Sequence, residues 1–407
     1  MTALKIAIDA RLPDHGQGGV QQVICTLALG LKRVPEIDCS VYWVVLKGTS
    51  WWKSVLPEND VILEVPAPFG RISIWFAHRF PGFTSRVFPL LSLLLKQSPP
   101  YDQLLNQLGI DVVHLPFQDG FKTGIPFVYN PHDLQHHYFP EFFSTSQIRH
   151  REKHWRKQAT EASVVMAASH NVRNDLTNFW AVAPQNISVV PIPPPDRTGS
   201  NQSILDPLPN RFGLYPAAFW RHKNHSRLLQ ALASLAQNKV RVPLVFVGAA
   251  VGDYEIIRAS AAKLGLHDSV FFLGHVTDEE LTSLIKASDF VIVPSLFEAM
   301  SLTVWDAQRL GTPVACSNID PFPDQVGDSA LTFNPMDVHE IASVIKQIWG
   351  DAELRTSLSG SGLKRTQNLT SKNYALAMAG EYFRAAGLTA PGICSDAATH
   401  LRRVVSR

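Results

Sequence analysis

The sequence predicts an α/β protein of two doubly wound parallel-sheet, Rossmann-like domains that face each other across a cleft. Short apolar runs alternate with amphipathic helical segments through both halves of the chain, a pattern typical of parallel sheets covered by helices. The 407 residues suffice for two such domains with sizeable cores. A proline-rich, aperiodic stretch separates the halves. We therefore divide the chain into a first domain (1–195), a linker (196–211), a second domain (212–375) and a C-terminal helix with a basic tail (376–407).

The composition excludes several classes of protein. Apolar residues make up 45% of the chain and the formal net charge is +2, so neither disorder nor general nucleic-acid binding is indicated. The four cysteines lack CxxC spacing, which argues for reduced thiols in a cytoplasmic protein and against a zinc knuckle. The N-terminus lacks a signal-like segment, and no run approaches the roughly 20 apolar residues of a membrane span. We expect a cytoplasmic enzyme.

The first half begins with a strand at residues 5–9, followed by a glycine-containing loop and a helix at 20–31. The loop glycines Gly16, Gly18 and Gly19 do not form G-x-G-x-x-G, which disfavours a dinucleotide site. A plain loop-to-helix turn remains an alternative at this point. Further elements are strands at 40–46, 61–65, 111–115, 126–129 and 162–169, and a polar, basic helix at 144–160.

Residues 69–96 have an unusual composition. Arginine and lysine are mixed with aromatic and aliphatic residues, and no acid is present. This mixture is typical of a segment on an anionic membrane surface, so we predict a possible peripheral membrane contact here. The alternative is a pair of ordinary core-facing helices with basic outer faces, because Pro81, Gly82 and Pro89 interrupt any long amphipathic helix.

The second half restarts with a strand at 214–219 and a leucine-rich helix. Arg221 and Lys223 stand between them, where two cations could neutralise a diphosphate or could simply be surface charges. Later elements are strands at 243–247, 270–273 and 290–293, a helix at 278–289, a strand at 313–318, and helices from 337 onward.

Two carboxylates follow the strand at 290–293. Glu298 is predicted in the strand-to-helix loop, and Asp306 lies about two turns later on a helix that starts near Ser301 and stops at Gly311. Both can face a crevice at the carboxyl end of the sheet, where α/β proteins bind ligands. The free amides of the helix start would suit a phosphate. The alternative is two ordinary solvated acids.

Residues 295–314, SLFEAMSLTVWDAQRLGTPV, resemble the E-x7-E segment of the family 4 (group 1) retaining glycosyltransferases. Residues 299–301 depart from the usual Gly-Phe-Gly, Thr303 replaces proline, and Asp306 replaces the second glutamate. R-x-K-N at 221–224 resembles the phosphate-gripping segment of the family. His-Asp-Leu at 132–134, followed by Phe-Pro-Glu at 139–141, resembles the mannosyltransferase-like branch.

The resemblance implies the GT-B fold, with a final helix that crosses back over the first domain. It also implies roles for the conspicuous residues. Glu298 and His132 would contact the transferred sugar, and Lys223 and Arg221 would neutralise the diphosphate. The implied donor-binding positions are Gly18, Gly19, Gly274, His275, Val276, Ser301, Leu302 and Asp306, of which 274–276 lie near the nucleobase and Asp306 holds the ribose.

The implied reaction is retaining transfer of a hexose, mannose from GDP-mannose as first candidate, to a saccharide or lipid-linked acceptor. The sugar nucleotide is a substrate, so no cofactor is expected, and the absence of D-x-D favours a metal-independent reaction. Histidines crowd residues 132–154, which would suit a metal site, but their spacing lacks a zinc-peptidase pattern and we predict none. The alternatives are a sugar-nucleotide-binding subunit without turnover, a GT-B phosphorylase or epimerase, and, least favoured, a dehydrogenase.

Overall fold

The computed structural model describes residues 3–14, 18–57, 59–66, 101–196 and 208–405. The segment 69–96 and most of the linker at 196–211 lie outside the described residues, so the membrane contact at 69–96 stays a prediction. Within the described ranges, no helix combines the length and apolar character that a membrane crossing requires.

The first domain is built on a seven-stranded sheet in the order β3-β2-β1-β4-β5-β6-β7. Every neighbouring pair runs parallel. The four-residue strands β4 and β6 are buried along their whole length, as expected for a sheet covered on both faces. The strands are β1 (Leu4–Asp9), β2 (Cys39–Leu46), β3 (Val61–Val65), β4 (Val112–Leu115), β5 (Phe127–Tyr129), β6 (Val164–Ala167) and β7 (Ile187–Val189).

The described helices of this domain include one departure from the sequence prediction. The helix predicted at 144–160 is divided by a π-helical turn, Arg151–Trp155. Its start is fixed by a capping box in which the Ser144 side chain accepts from the Gln147 amide. The helices are α1 (Gly18–Lys32), α2 (Tyr101–Gln107), α3 (Gln135–Tyr138), α4 (Thr145–His150), α5 (Arg156–Glu161) and α6 (His170–Trp180).

The second domain contains a six-stranded sheet in the order β10-β9-β8-β11-β12-β13, again with parallel neighbours. Its strands are β8 (Gly213–Pro216), β9 (Leu244–Val247), β10 (Val270–Gly274), β11 (Phe290–Val293), β12 (Val314–Ser317) and β13 (Leu331–Phe333). The helices are α7 (His225–Gln237), α8 (Tyr254–Lys263), α9 (Asp278–Ala287), α10 (Leu302–Arg309), α11 (Phe322–Val326), α12 (Val338–Gly350), α13 (Ala352–Thr366), α14 (Ser371–Ala385) and α15 (Gly392–Val404). The predicted fold class, two Rossmann-like parallel-sheet domains, is confirmed.

Helix α14 packs against α1 of the first domain. The two backbones approach so closely that a Cβ on Gly30 would lie 2.1 Å from the Ser371 carbonyl oxygen. Further along α14, the Tyr382 hydroxyl lies 2.8 Å from Nδ1 of His114, which is on β4. The C-terminal helices therefore fasten the second domain to the first.

Each sheet has one point where the strand order reverses. In the first sheet it lies between β1 and β4, and in the second between β8 and β11. In doubly wound sheets, the loops that leave the carboxyl ends of such neighbouring strands diverge and leave a crevice for ligands. The loops after β8 and β11 contain Lys223 and Glu298, so the fold itself brings these two residues to one place.

Candidate active site

The two loops at the reversal point of the second sheet are joined by their backbones. After β8, the chain makes a short 3-10 turn at Arg221–Lys223. After β11, it forms the irregular segment that precedes α10. The Leu296 amide donates a hydrogen bond to the His222 carbonyl oxygen at 2.7 Å. This bond fixes the distance between the loop of the basic residues and the loop of Glu298.

Lys223 and Glu298 form an ion pair at this junction. Lys223 Nζ lies 2.6 Å from Glu298 Oε1, and the Ser295 hydroxyl donates to the same oxygen at 2.7 Å. Glu298 is 9% exposed, whereas the lysine side chain is 22% exposed. The carboxylate is therefore held by two donors, and the ammonium group keeps a face toward the cleft.

The backbone around Lys223 is fixed by its neighbours. The Tyr215 hydroxyl donates to the Lys223 carbonyl oxygen at 2.7 Å. Asn224 adopts a left-handed conformation with φ of 60°, which asparagine tolerates better than most residues. Its side-chain amide donates to the carbonyl oxygens of Pro294 at 3.0 Å and Pro335 at 2.8 Å. The turn that presents Lys223 is thus tied to the end of β11 and to the segment after β13.

The start of α10 is partly occupied by protein groups. The Ser301 amide donates to Gln325 Oε1 at 3.1 Å, and Gln325 Nε2 donates to the Ser301 carbonyl oxygen at 2.6 Å. The Ser301 amide, one of those predicted to be free for a phosphate, therefore already has an acceptor. Leu302 and Thr303 are the first two helical residues, and the geometry of a helix start gives their amides no acceptor within the helix.

Asp306 lies one turn into α10 and is 6% exposed. Its side chain lines the same cavity as Lys223 and Glu298. The first domain contributes Gly18 and Gly19, the first residues of α1, to the opposite wall of that cavity. Gly18 has a φ of 42°, and a Cβ on either glycine would meet no atom within 4 Å. The glycines leave open space in front of the lysine and the two acids.

His132 comes from the first domain and lines a cavity together with Glu298. It has a φ of 63°, an uncommon conformation for histidine, and its Nε2 donates to the Pro116 carbonyl oxygen at 2.8 Å. Burial lowers the pKa of this imidazole, which the Pro116 hydrogen bond partly offsets. A neutral His132 with Nε2 occupied offers Nδ1 as an acceptor.

Three adjoining cavities form the cleft between the domains. The helix cavity, about 420 Å³, lies at the start of α10 between Lys223, Asp306 and the α1 glycines. The central cavity, about 300 Å³, contains His132, and it shares Glu298 with the helix cavity. The aromatic cavity, about 450 Å³, shares Gln135 and His222 with the central cavity, and its further lining includes Phe142, Phe143, Arg151, Trp220, Arg221 and Asp253.

The structure separates Arg221 from Lys223. The Arg221 side chain is 63% exposed, its Nε lies 3.5 Å from Asp253 Oδ2, and it lines the aromatic cavity. It is not among the described residues that line the helix cavity. That both cations grip one diphosphate stays a prediction, and the structure places Arg221 at a different cavity from Lys223.

Residues 274–276 are also separate from the three cavities. Gly274, with φ of 71°, accepts a hydrogen bond at its carbonyl oxygen from the Gly248 amide at 2.8 Å, and His275 is exposed. Gly274, His275 and Val276 are not among the described residues that line the helix, central or aromatic cavity. The nucleobase position that the resemblance implied for them stays a prediction.

Sequence reasoning missed His222 and Gln135, which both line the central and the aromatic cavity. Burial, with the neighbouring Lys223 charge, lowers the pKa of His222 to about 4, so the imidazole is neutral near pH 7. The sequence position of His222, between Arg221 and Lys223 after a predicted strand, could have indicated a site residue. Gln135, at the start of α3, gave no such signal.

One group of side chains among the described residues could hold a metal ion. It consists of His136, His137 and Glu152. These residues do not line the three cavities of the cleft, within the part of the chain that the structure describes.

Two family models together match most of the chain. The model described as glycosyltransferase family 4 matches residues 17–193, and the model described as glycosyl transferases group 1 matches residues 198–365. The two matches correspond to the two sheets of the structure.

Individual relatives share less than a third of their aligned residues with this chain. O-antigen chain mannosyltransferase B of Escherichia coli is 24% identical over 251 residues, which span 60% of this chain and 66% of the relative. The MMP α-(1→4)-mannosyltransferase of Mycolicibacterium hassiacum is 28% identical over 228 residues, which span 54% and 53%. The chain thus matches between about half and two-thirds of the length of these relatives.

Solved structures share the architecture. Sucrose-phosphate synthase from Thermosynechococcus elongatus has a TM-score of 0.66 at 18% identity, covering 93% of this chain and 98% of its own. WaaG, a glycosyltransferase involved in lipopolysaccharide biosynthesis, has a TM-score of 0.64 at 16% identity, covering 93% and 99%. At these identities the likeness is one of fold.

Two parallel-sheet domains with a cleft at both strand-order reversals define a GT-B protein, and the cleft carries a lysine, two acids and a helix start. The chain belongs to the group 1 glycosyltransferases, and the predicted family is confirmed.

Proposed function

We propose that the protein transfers a hexose from a sugar nucleotide to an acceptor hydroxyl with retention at the anomeric carbon and without a metal ion. Mannose from GDP-mannose is the first candidate donor, supported by the mannosyltransferases among the relatives. The observation that carries the proposal is the convergence of Lys223, Glu298 and Asp306 on one cavity opposite Gly18 and Gly19.

The donor would lie along the helix cavity and into the central cavity. Each volume falls within the roughly 300–1,000 Å³ typical of ligand pockets. The diphosphate would meet the Lys223 ammonium and the amides at the start of α10, and Asp306 would accept from the ribose hydroxyls. The sugar would then reach Glu298, which belongs to both cavities, and His132 beyond it.

The chemical difficulty is the departure of the nucleoside diphosphate as the bond from its oxygen to the anomeric carbon breaks. Negative charge grows on that oxygen while the acceptor oxygen forms the new bond on the same face of the sugar, and the acceptor's hydroxyl proton passes to the departing diphosphate. A fixed ammonium group and helix amides stabilise such charge without having to reorganise. Lys223 is suited to this task because Tyr215 and Asn224 fix its backbone while its side chain faces the cleft.

The acceptor would enter through the aromatic cavity, which adjoins the central cavity at Gln135 and His222. Phe142, Phe143 and the half-exposed Trp220 offer apolar ring faces, which suit a sugar ring or a lipid-linked sugar. Arg221 belongs to this entrance in the proposal and not to the diphosphate grip.

The test is a thermal-shift screen against GDP, UDP, ADP and dTDP and their sugars in EDTA, followed by a transfer assay and NMR of the product anomer. The proposal expects one nucleotide to raise the melting temperature without metal and the anomeric configuration to be retained. Stabilisation without turnover would favour a sugar-nucleotide-binding subunit, the alternative that Asp306 and the unusual residues 299–301 support. Product formation only from free phosphate, or without an acceptor, would indicate a phosphorylase or an epimerase. An inverted product, or no response to any nucleotide, would contradict the proposal.

A further inference from the structure

Two adjacent histidines, His136 and His137, lie close to Glu152 just after the segment that contains His132. Nε2 of His136 lies 2.7 Å from Glu152 Oε1, and Nε2 of His137 lies 2.9 Å from the same oxygen. His136 is 3% exposed, while the side chains of His137 and Glu152 are 24% and 31% exposed. We propose that these three residues form a binding site for a divalent transition metal such as Zn²⁺, which braces this part of the cleft.

Hydrogen bonds alone leave the cluster incomplete. Glu152 Oε1 accepts from His136 Nε2 and, at 3.0 Å, from the indole nitrogen of Trp180. His137 Nε2 is close to that oxygen but is not aligned to donate to it, and this buried nitrogen has no hydrogen-bond partner among the described residues. His136 Nδ1 is buried and likewise without one. A buried imidazole nitrogen without a hydrogen-bond partner destabilises the fold, and a metal ion would coordinate His137 Nε2 directly.

The ligand set selects the kind of metal. Two imidazoles and one carboxylate are typical zinc ligands and are unsuited to Ca²⁺ or Mg²⁺, which take oxygen ligands. Zinc bonds of about 2.0–2.2 Å in tetrahedral geometry place neighbouring ligand atoms about 3.3 Å apart. The present separations of 2.7 and 2.9 Å therefore need to widen by only about half an ångström. The fourth position would hold water.

The fold supports the cluster from several sides. Glu152 lies on the π-helical turn Arg151–Trp155, a rare element that is frequent at functional sites. The His137 ring stacks on Phe179 with centroids 4.2 Å apart and an interplanar angle of 4°. Arg156 Nη1 is 3.9 Å from Oε2 of Glu152, the oxygen that the proposal does not use.

The position gives the site a structural consequence. His136 and His137 belong to α3, whose first residue Gln135 lines both the central and the aromatic cavity. His132 lies three residues before the first residue of this helix. A bound metal would tie α3 to the π-helical turn and restrain the segment that presents His132. The ion would act as a positioning element, apart from the proposed diphosphate position near Lys223.

The test uses the whole chain, from which metal is first removed by EDTA and dialysis. The protein is then titrated with ZnCl₂, followed by calorimetry, and with CoCl₂, followed by visible absorption. We expect one equivalent to bind, a Co²⁺ spectrum of four-coordinate type, and a higher melting temperature with Zn²⁺. His137→Gln and Glu152→Gln should each weaken binding by about tenfold or more. His150→Gln is the matched control, because His150 forms a histidine pair with His154 and contacts Asp119 outside the proposed site.

Folding and metal binding can be separated in this design. His137→Gln loses the stack on Phe179 but no hydrogen bond to a described residue, so it should melt only slightly below the wild-type protein when metal is absent. Equal Zn²⁺ affinity in wild type and both variants, or no stoichiometric binding by wild type, would overturn the proposal. Loss of binding in His150→Gln as well would also overturn it, because the site would then lie elsewhere.

Discussion

Lys223 and Glu298 form an ion pair at the point where the strand order of the second sheet reverses, with 2.6 Å between Nζ and Oε1. In the proposed reaction the lysine must also neutralise a diphosphate, so donor and carboxylate compete for one ammonium group. The Ser295 hydroxyl, at 2.7 Å from the same oxygen, keeps Glu298 in place when the lysine turns away.

This competition predicts the behaviour of Glu298→Gln. The variant frees Lys223 from its ion pair, so the bare nucleoside diphosphate should bind at least as tightly as in the wild type. Turnover should fall by about 100-fold or more, because a contact to the transferred sugar is lost. Calorimetry of the diphosphate and steady-state kinetics would check both parts. Weaker diphosphate binding with unchanged turnover would be inconsistent with the assigned roles.

Asp306 provides a second prediction. In the proposal, the Asp306 carboxylate accepts hydrogen bonds from the ribose hydroxyls. Asp306→Asn should therefore weaken nucleotide binding by about tenfold or more, because a hydrogen bond to a charged group is lost. The same variant should bind a 2′,3′-dideoxynucleoside diphosphate as well as the wild type does. An equal loss for both nucleotides would mean that Asp306 acts through the fold of α10 and not through the ribose.

The α1–α14 contact predicts the outcome of Gly30→Ala. A Cβ at this position would lie 2.1 Å from the Ser371 carbonyl oxygen and 2.7 Å from the Ala375 Cβ, so the helices must separate. We expect a loss of about 1–3 kcal/mol in the free energy of unfolding, measured by denaturant titration. Gly360→Ala is the matched control, because a Cβ there meets no atom within 4 Å and alanine favours the helix by about 0.5–1 kcal/mol. Equal stability changes in the two variants would refute the close approach.

Buried histidines predict a loss of stability in mild acid. Burial lowers the pKa of His114 to about 4 and that of His225 to about 3, whereas unfolded histidine titrates near 6.5. At a pH between the folded and unfolded pKa values, the unfolded chain binds more protons than the folded chain. The free energy of unfolding therefore falls as pH decreases from about 6.5 to 4, by about 1.4 kcal/mol per pH unit for each histidine.

One carboxyl works in the opposite direction. Burial raises the pKa of Asp175 to about 6, which stabilises the fold as pH falls below that value, but the two histidines outweigh it. Denaturant titrations at several pH values would measure the slope, and His114→Gln should make it shallower. A stability that is constant or rises from pH 7 to 5 would contradict this account.

The fold was predictable because apolar runs and helical periodicity alternate along both halves, and the sheet order then fixes where loops such as those of Lys223 and Glu298 meet. Side-chain direction within a turn was not predictable. Arg221 and Lys223 are two residues apart, yet they line different cavities. Glu152 was also missed, since its approach to His136 and His137 depends on a π-helical turn that sequence periodicity does not reveal.

The central claim is that Lys223, without a metal, holds the diphosphate of the donor. The most direct measurement is calorimetric titration of the preferred nucleoside diphosphate into wild type, Lys223→Ala and Arg221→Ala in EDTA. The account predicts binding by wild type and by Arg221→Ala, and a loss of about tenfold or more in Lys223→Ala. Lys286→Ala, an exposed lysine on α9, serves as the control for net charge. Unchanged affinity in Lys223→Ala, or wild-type binding that requires a divalent metal, would contradict the account.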